Sequence, residues 1–449
     1  MLKEASRMKG LKALLIFCLS VLLVASFANL GALAQEEKPF EGVALRVSMI
    51  DEIREREIIK RLPAFKEKTG IEVKVDLYGF EGLFEHNLAA AYGHTGEYDV
   101  MQLHHPDLAL FSEYLVDLTD RFEEDWDEID VDDIHPLLRK THMQYQDRWY
   151  GMPTHVNPMT LVYRTDIFEE NGYEVPKTWD ETIALAKEIS EKYAPDMYGI
   201  TFMGRKEIQL ACTFLNFLGG YGQYILTQTD RGLKPSINTP EAVTALEKLV
   251  ALKDYATPGV LGYGFDENMM AFARGEAAMS LMWSSIINVY QDPEQSVIVD
   301  KWDLAPMPGS VLPDGTVYSK ALLGGWTVGI SVDCPNPDAA WEFLKWLISK
   351  ELETELVPYY ESCRVSLLSD PDIQAEWPNY KAFYDILEAG PIDFPGVEPG
   401  VKIVPNMEML DYMEIALSDA LTGVATPQEA LDDLQSKYME IAVKWGLYR

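Results

Sequence analysis

Histidines and carboxylates are the first residues in this sequence that could do chemistry. All seven histidines lie between His86 and His155, and His104 and His105 stand together where a predicted strand meets its loop. Histidine nitrogens in such a place suggest a metal site. Adjacent side chains on an extended segment point to opposite sides, so the two rings suit neither chelation nor one shared ion. We therefore expect polar lining of a cleft or surface residues, and no metal or other cofactor.

The motifs of the common catalytic sites do not occur in the sequence. The chain has no GxSxG, HExxH, P-loop or GxGxxG pattern. Its many carboxylates leave any glycosidase pair undefined, because the separation that such an enzyme needs cannot be derived from sequence spacing. We expect a binding protein rather than an enzyme, with a secreted carbohydrate-active enzyme as the less favoured alternative.

Aromatic and polar side chains together favour a site for a neutral sugar or polyol. A sugar presents apolar C–H faces and a ring of hydroxyl groups, so its sites combine aromatic platforms with carboxylate, amide and guanidinium partners. The candidate platforms, each of which could instead pack in the core, are Tyr78, Tyr221, Trp283 and Trp326. The candidate polar partners are Asp51, Glu52, Asp107, Asn157, Arg205 and Arg364. The same predicted cleft includes His104, His105, His155 and Gly325.

The charge of the chain limits its partners. The formal net charge is −34, and removal of four Lys/Arg and one Glu with residues 1 to 34 makes it −37. Such a surface repels phosphate backbones and anionic lipid headgroups. Binding to nucleic acid or to a membrane surface is therefore not expected.

The amino terminus has the pattern of a secretory signal peptide. Basic residues precede an apolar run from Ala13 to Leu33, which ends in the A-x-A sequence Ala32-Leu33-Ala34. Cys18 lies in mid-run without the small neighbours of a lipidation site. We expect a secreted protein of the periplasm or cell exterior that begins near Gln35. An uncleaved anchor stays open, since the run is long enough to span a bilayer.

Three cysteines follow the predicted signal peptide. They are Cys212, Cys334 and Cys363. An odd number in an exported chain leaves at least one free thiol and implies no disulfide framework. A single pair between Cys334 and Cys363 stays open.

Alternating strands and helices must position the candidate residues. Predicted strands run from Ala44 to Ile50, Ile71 to Leu77 and Tyr98 to Leu103, with helices between them. This order predicts parallel βα units in a doubly wound sheet. Ligands of such sheets meet the loops at the carboxyl ends of the strands. Here those loops are Asp51-Glu52, Tyr78-Gly79 and His104-His105.

The stretch from Trp149 to Glu181 is predicted to join two lobes. Tyr150-Gly151-Met152-Pro153 breaks regular structure, so we expect neither a helix nor a central strand to run through it. A short strand from Met159 to Tyr163 and a helical turn from Asp166 to Glu170 follow. Thr178 with Glu181 three residues later predicts a capping box at the start of the next helix.

These motifs, in this order, resemble the extracellular solute-binding receptors of carbohydrate ABC importers, the family of the maltose-binding protein. Tyr163-Arg164 departs from the usual Tyr-Asn of that family. The resemblance extends over nearly the whole chain after the signal peptide. The segments that carry it are Tyr150 to Pro153, Tyr163 to Phe168, Thr178 to Glu181, Phe272 to Met279, Gly324 to Ile330 and Pro427 to Leu431.

The resemblance implies an α/β, periplasmic-binding-protein-like fold with two discontinuous, doubly wound lobes joined by a hinge. After a signal peptide of residues 1–34, the amino-terminal lobe would hold residues 35–153 and 308–347. The carboxyl-terminal lobe would hold residues 154–307 and 348–449. The chain would cross between lobes near Pro153 to Asn157, Pro306 to Pro308 and Leu347 to Lys350.

The resemblance also implies a function. A monomeric receptor would capture a sugar or polyol between its lobes and deliver it to an ABC permease in the membrane. Asn157 falls where the maltose-binding protein has a cleft glutamate, and the segment from Gln291 to Pro308 is closer to the branch for polyols and small sugars. A receptor for a metal or a peptide is the alternative.

Overall fold

The computed structural model describes residues 38–312 and 314–449. The predicted signal peptide, its cleavage site and Cys18 lie outside the described residues, as does the side chain of His155. In the described ranges no helix is long and apolar enough to cross a membrane.

The strands are numbered β1 to β15 in chain order. Their bounds are β1 Ala44–Ile50, β2 Glu72–Tyr78, β3 Val100–His104, β4 Gln144–Tyr145, β5 Arg148–Trp149, β6 Met152–Arg164, β7 Tyr198–Thr201, β8 Leu226–Thr229, β9 Gly232–Pro235, β10 Ala277–Trp283, β11 Trp302–Ala305, β12 Ser310–Val311, β13 Val317–Tyr318, β14 Leu322–Ile330 and β15 Ile392–Asp393.

The helices lie between and after these strands. The longer ones are Ile53–Thr69, Phe80–Gly93, Trp179–Tyr193, Ile208–Gly220, Pro240–Lys253, Phe265–Ala273, Pro337–Leu347, Pro378–Ala389, Asn406–Thr422 and Pro427–Lys444. The shorter ones are Leu108–Phe111, Thr119–Glu124, Trp126–Ile129, Pro136–Leu138, Thr165–Asn171, Ile287–Tyr290, Lys350–Leu356, Val365–Leu368 and Pro371–Glu376.

One main sheet has the strand order β2-β1-β3-β14-β6-β10-β7, with β11 on β6 and β15 on β14. β1 pairs in parallel with both β2 and β3. The parallel βα units predicted from the alternation of elements are therefore confirmed. β14 returns antiparallel between β3 and β6, which places the glycines of β14 in the middle of the sheet.

β6 corrects the expectation that Pro153 stops a central strand. The strand runs for 13 residues from Met152 to Arg164 and pairs with β14 as far as Pro158 and with β10 from Met159 onward. The register with β14 shifts between Trp326 and Thr327, where Thr327 faces Pro153. Such an irregularity accommodates a residue that has no N–H to donate to the ladder.

Two large hydrophobic clusters lie along this sheet. The first core includes Leu45, Val100 and Val328. The second core includes Leu161 and Met279. β6 contributes Val156 to the first core and Leu161 to the second. This strand therefore connects the two halves of the molecule.

The lobe limits expected from the resemblance stay predictions. The packing of residues 348–392 indicates where the chain crosses between the lobes for the third time. Ile348, Leu356 and Leu387 all pack in the first core. Ile392 of β15 packs in the second core and pairs with Leu322 of β14. This packing favours a third crossing near Ile392 rather than between Leu347 and Lys350.

Local signals in the sequence act as expected. Thr178 and Glu181 form the reciprocal capping box that starts Trp179–Tyr193. Trp179 is a packing residue, since its ring stacks on Phe217 with 3.6 Å between centroids.

The disulfide that stayed open between Cys334 and Cys363 is not formed, because both thiols are free and buried. The Cys363 sulfur instead lies 3.5 Å from the carbonyl oxygen of Pro153.

Candidate functional site

A cavity of about 560 Å³ lies at the carboxyl ends of β1, β2 and β3 and faces residues from both cores. Of the residues predicted for the cleft, seven line it: Asp51, Glu52, His104, Asn157, Trp283, Gly325 and Trp326. Its wall also contains Phe80, Gln209, Asp266, Ser285, Asn288 and Phe394. A volume of this size is typical of sites for small molecules.

Trp326 forms one aromatic wall of the cavity. It follows Gly325, whose φ of 149° is a backbone conformation that favours glycine. The indole is 7% exposed. It makes an edge contact with Phe80 and a tilted contact with His104, each at 5.6 Å between ring centroids. Phe80 was not identified from the sequence, although it directly follows the predicted loop Tyr78-Gly79.

Trp283 forms a second aromatic wall at the end of β10. Its Nε1–H donates a hydrogen bond to Gln209 Oε1 at 2.9 Å, which fixes the plane of the indole. The ring lies against Gly324. The Gly-Gly pair before Trp326 thus admits the second tryptophan to the same cavity.

Asn157 adds an amide to the cavity from the point where β6 passes between β14 and β10. Its Nδ2 donates a hydrogen bond to Ser285 Oγ at 3.0 Å. The side chains of Asn157 and Ser285 therefore join the two halves of the molecule at the cavity wall. Amide and hydroxyl groups of this kind can both donate and accept hydrogen bonds with sugar hydroxyls.

Two acids of different protonation state follow β1. Asp51 accepts a hydrogen bond of 2.8 Å from Arg56 Nε, and this bond lowers the pKa of the Asp51 carboxyl. Burial, with the neighbouring Glu55 and Asp51, raises the pKa of Glu52 to about 8. At neutral pH these two residues therefore offer one ionised carboxylate, which accepts hydrogen bonds, and one protonated carboxyl, which can also donate.

His104 lines the cavity as a neutral ring. Its centroid lies 4.7 Å from that of Phe394. Burial, and then the neighbouring His105, hold the pKa of His104 well below its ordinary value. The residue therefore contributes a flat, uncharged surface rather than a cation.

His105 lies behind the cavity rather than in it. Its Nδ1 is 3.1 Å from the carbonyl oxygen of Gly325, and its Nε2 is 2.8 Å from Asp393 Oδ1. Because a carbonyl oxygen only accepts, Nδ1 carries a hydrogen. Burial, and then the charge of Lys402, hold the pKa of His105 well below its ordinary value. His105 therefore supports the backbone of the cavity wall.

Asp107 also supports the site rather than lining it. Its Oδ1 accepts a hydrogen bond of 2.9 Å from Asn406 Nδ2. Nearby, Lys402 Nζ donates to the carbonyl oxygens of His105, at 3.1 Å, and Thr141. These contacts attach the segment after β3 to the carboxyl-terminal part of the chain, so the polar groups predicted to meet a ligand meet protein instead.

Neither of the two predicted tyrosine platforms lines the cavity. Tyr78 stacks on His86 at 4.3 Å between centroids, and its hydroxyl lies 2.6 Å from that of Tyr98. Tyr221 packs against the second core. Both rings have contacts within the protein that spacing in the sequence does not reveal.

The two predicted arginines lie elsewhere as well. Arg205 pairs with Glu207 at 2.8 Å and with Glu267 at 2.9 Å. Arg364 is 2% exposed and donates to the carbonyl oxygens of Ile348 and Ile129 at 2.6 and 2.9 Å. Neither arginine lines the cavity, and their assignment to the site stays a prediction. For His155 the description is limited to its backbone, which pairs with Trp326.

Several lining residues were missed because tertiary structure alone brings them to the cavity. Gln209 and Asp266 each stand near the first residue of a helix, Ile208–Gly220 and Phe265–Ala273. Only the position of those helix starts could have marked them. Within 38–312 and 314–449, no group of three or more His, Cys, Asp or Glu side chains is placed to hold a metal ion.

Comparison with known proteins identifies several relatives of this chain. Residues 51–353 match the family model of bacterial extracellular solute-binding proteins. A probable amino-acid ABC transporter periplasmic-binding protein of Sinorhizobium fredii is 23% identical over 381 residues, which is 83% of each chain.

Two solved structures are similar over most of the chain. A solute-binding protein of Agrobacterium radiobacter K84 in complex with ribitol has a TM-score of 0.79 and 29% identity, over 90% of this chain and all (100%) of that one. Maltose-bound MalE3 of T. maritima has a TM-score of 0.77 and 25% identity, over 89% of this chain and 100% of that one. The shared architecture extends to both sides of the cavity.

Proposed function

The chain belongs to the family of bacterial extracellular solute-binding proteins, and from that premise we propose that it is the sugar or polyol receptor of an ABC importer. The ligand binds in the cavity between the two cores, and the receptor delivers it to a permease in the membrane. We also propose that the protein is secreted, is monomeric and has no catalytic turnover.

One observation carries the proposal: two indoles, those of Trp283 and Trp326, line a cavity whose wall also holds amide, hydroxyl and carboxyl groups among apolar side chains. Aromatic faces match the C–H surfaces of a sugar, and the polar groups match its hydroxyls. The protonated Glu52 and the ionised Asp51 offer both a donor and an acceptor. A wholly apolar ligand would leave these groups unpaired.

The relatives suggest the size of the ligand. One similar structure holds ribitol, a five-carbon polyol, and another holds maltose, a disaccharide. A cavity of about 560 Å³ accommodates ligands between these two sizes. A volume of this size suits a polyol chain or one or two sugar rings better than a long oligosaccharide.

The mechanism follows from the two halves of the wall. Asp51, Phe80 and His104 come from the side of the first core, and Gln209 and Asp266 come from the side of the second. A ligand can contact both sets together only when the cavity is closed, so it shifts the equilibrium toward closure by its difference in affinity. The permease would then recognise the closed form.

An amino acid is the second candidate ligand, because one relative is described as a probable amino-acid receptor. A free amino acid needs a cationic partner for its carboxylate, and the guanidinium in the wall, Arg56, is already paired with Asp51 at 2.8 Å. This pairing favours the polyol or sugar.

Thermal-shift assays and isothermal titration calorimetry on residues 35–449 test the proposal. Ribitol, D-mannitol, maltose, glycine, lysine, a tripeptide and Zn²⁺ form the panel. We expect a rise in melting temperature and saturable heat with at least one polyol or sugar and with none of the others. Binding of an amino acid, peptide or Zn²⁺ alone would assign a different ligand class. New reducing ends released from oligosaccharides would assign an enzyme.

A further inference from the structure

The side-chain amide of Gln209 has an orientation that its partner in the protein fixes. Its Oε1 accepts the hydrogen bond of 2.9 Å from Trp283 Nε1. An indole N–H can only donate, so the oxygen of the amide, and not its nitrogen, has to face Trp283. The two ends of this amide are therefore not interchangeable.

The amide nitrogen of Gln209 keeps both of its hydrogens for a further partner. Among residues 38–312 and 314–449, Nε2 has no hydrogen-bond acceptor, since the contact to Trp283 is the hydrogen bond that this side chain makes. The residue is partly buried and belongs to the cavity wall. A donor in such a place needs an acceptor from water or from a bound molecule.

The helix Ile208–Gly220 holds this donor on the side of the second core. Leu210 and Ala211, the two residues after Gln209, are buried in that core, and so is Trp283. The donor and the aromatic platform thus belong to the same half of the molecule. Their relation is kept when the cavity opens or closes around a ligand.

A hydrogen-bond acceptor lies at the other end of the same indole. A Cβ built on Gly324 would be 2.7 Å from Trp283 Cζ3 and 3.5 Å from Asn157 Oδ1. Cζ3 belongs to the six-membered ring, on the far side from Nε1 and Gln209. The nitrogen of Asn157 already donates to Ser285 Oγ, which leaves Oδ1 to accept. The platform therefore has a donor near one end and an acceptor near the other.

We propose that Gln209 is a specificity-determining residue, which donates a hydrogen bond from Nε2 to an oxygen of the sugar or polyol that lies on Trp283. The inference rests on the proposed function and deepens it. Together with Asn157 Oδ1, this donor selects one of the two directions in which a ligand can lie along the indole. An ammonium or a C–H group at the Gln209 end would leave the donor unpaired.

Gln209→Glu separates the donor from the support of Trp283. A glutamate carboxylate has nearly the same shape and still accepts from the indole, but it has no hydrogen to donate. Calorimetry at pH 7.5 uses ribitol, D-mannitol and maltose. Those that bind the parent should bind the variant roughly tenfold more weakly, while the near-UV circular dichroism of the ligand-free protein stays the same. Gln228→Glu, at an exposed position outside the cavity, should keep the parent's affinity.

A change of pH distinguishes a lost donor from a structural fault in the same variant. A protonated carboxyl donates and accepts, as the amide of Gln209 does. The ratio of the variant's Kd to the parent's should therefore fall several-fold from pH 7.5 to pH 5, toward the ordinary glutamate pKa of about 4.3, which burial raises. The ratio cancels the titration of Asp51, Glu52 and Asp266, which line the cavity in both proteins.

The other outcomes separate this inference from the proposed function. Unchanged affinity in Gln209→Glu at pH 7.5, or a loss that is as large at pH 5, would overturn the role of Gln209 and leave the receptor function intact. If the variant fails to fold, a crystal structure of the parent with one of the three ligands provides the test. Nε2 should then lie within about 3.2 Å of a ligand oxygen, and an amide nitrogen that faces only water would overturn the inference. Failure of every polyol and sugar to bind the parent would overturn both.

Discussion

The indole of Trp283 lies directly against the backbone of Gly324. A Cβ atom built on Gly324 would meet Trp283 Cζ3 at 2.7 Å and Cη2 at 2.9 Å, distances that real side chains do not adopt. The same ring is fixed on its other side by the hydrogen bond to Gln209. The position of this platform therefore depends on the absence of a side chain on the facing strand.

Gly324→Ala should displace Trp283 and weaken ligand binding at least tenfold. Its free energy of unfolding should fall by only about 1 to 3 kcal/mol, the usual range for overpacking. Calorimetric titration and thermal melts measure the two effects. Gly262→Ala is the control, because a Cβ there has nothing within 4 Å. Unchanged affinity in Gly324→Ala would show that Trp283 does not contact the ligand.

Trp326→Ala should lose most of the ligand-induced rise in melting temperature. From the sequence alone, we expect that removing a tryptophan side chain from the cleft costs the ligand-free protein little stability. With the indole 7% exposed and packed on Phe80, we instead expect the ligand-free protein to lose about 3 kcal/mol. Thermal melts with and without polyol separate the two effects. Trp445→Ala, at a site that is 46% exposed, should change neither. An undiminished ligand-induced rise would place Trp326 in the core alone.

Glu52 should make the protein less stable as the pH rises. Its pKa is raised to about 8 from an ordinary 4.5, so between these values the folded state holds a proton that the unfolded state has lost. Stability therefore falls with rising pH across that window. In Glu52→Gln this contribution is absent, so its loss of stability from pH 5 to pH 8 should be smaller than that of the parent. Parallel pH profiles in chemical denaturation would contradict the raised pKa.

His105→Gln should destabilise the protein and weaken ligand binding together. The change disturbs the contacts to Gly325 and Asp393, and a buried polar group left unpaired costs about 1 to 3 kcal/mol. Denaturation and titration calorimetry measure the two losses. His94→Gln, at an exposed histidine beside Asp333, is the control. A variant with lower stability but unchanged affinity would show that the support does not reach the cavity wall.

The sequence predicted the fold well where local rules decide it. The predicted strands from Ala44 to Ile50 and from Ile71 to Leu77 correspond to β1 and β2, and the capping box at Thr178 marked the start of a helix. The strand through Pro153 was missed because a register irregularity, in which Thr154 of β6 has no partner residue on β14, accommodates the proline. Whether a proline breaks a strand depends on its neighbour across the sheet, which local sequence does not specify.

As for the fold, the residues of the candidate site could be predicted from the sequence only where local rules place them. Asp51 and His104 line the cavity and were identified because they follow parallel strands. Arg364 and Asp107 do not line the cavity, and each has a hydrogen-bond partner more than 200 residues away in sequence, Ile129 for Arg364 and Asn406 for Asp107. A polar side chain is available to a ligand only if the protein does not already satisfy it, and that depends on long-range contacts.

The continuity of β6 has a consequence for how the molecule unfolds. The strand is bonded to β14 along its first part and to β10 and β11 along its second. Neither half can release it without opening an unpaired edge in the other. The two cores therefore share one ladder of backbone hydrogen bonds. We expect them to unfold together in one cooperative transition rather than in two separate transitions.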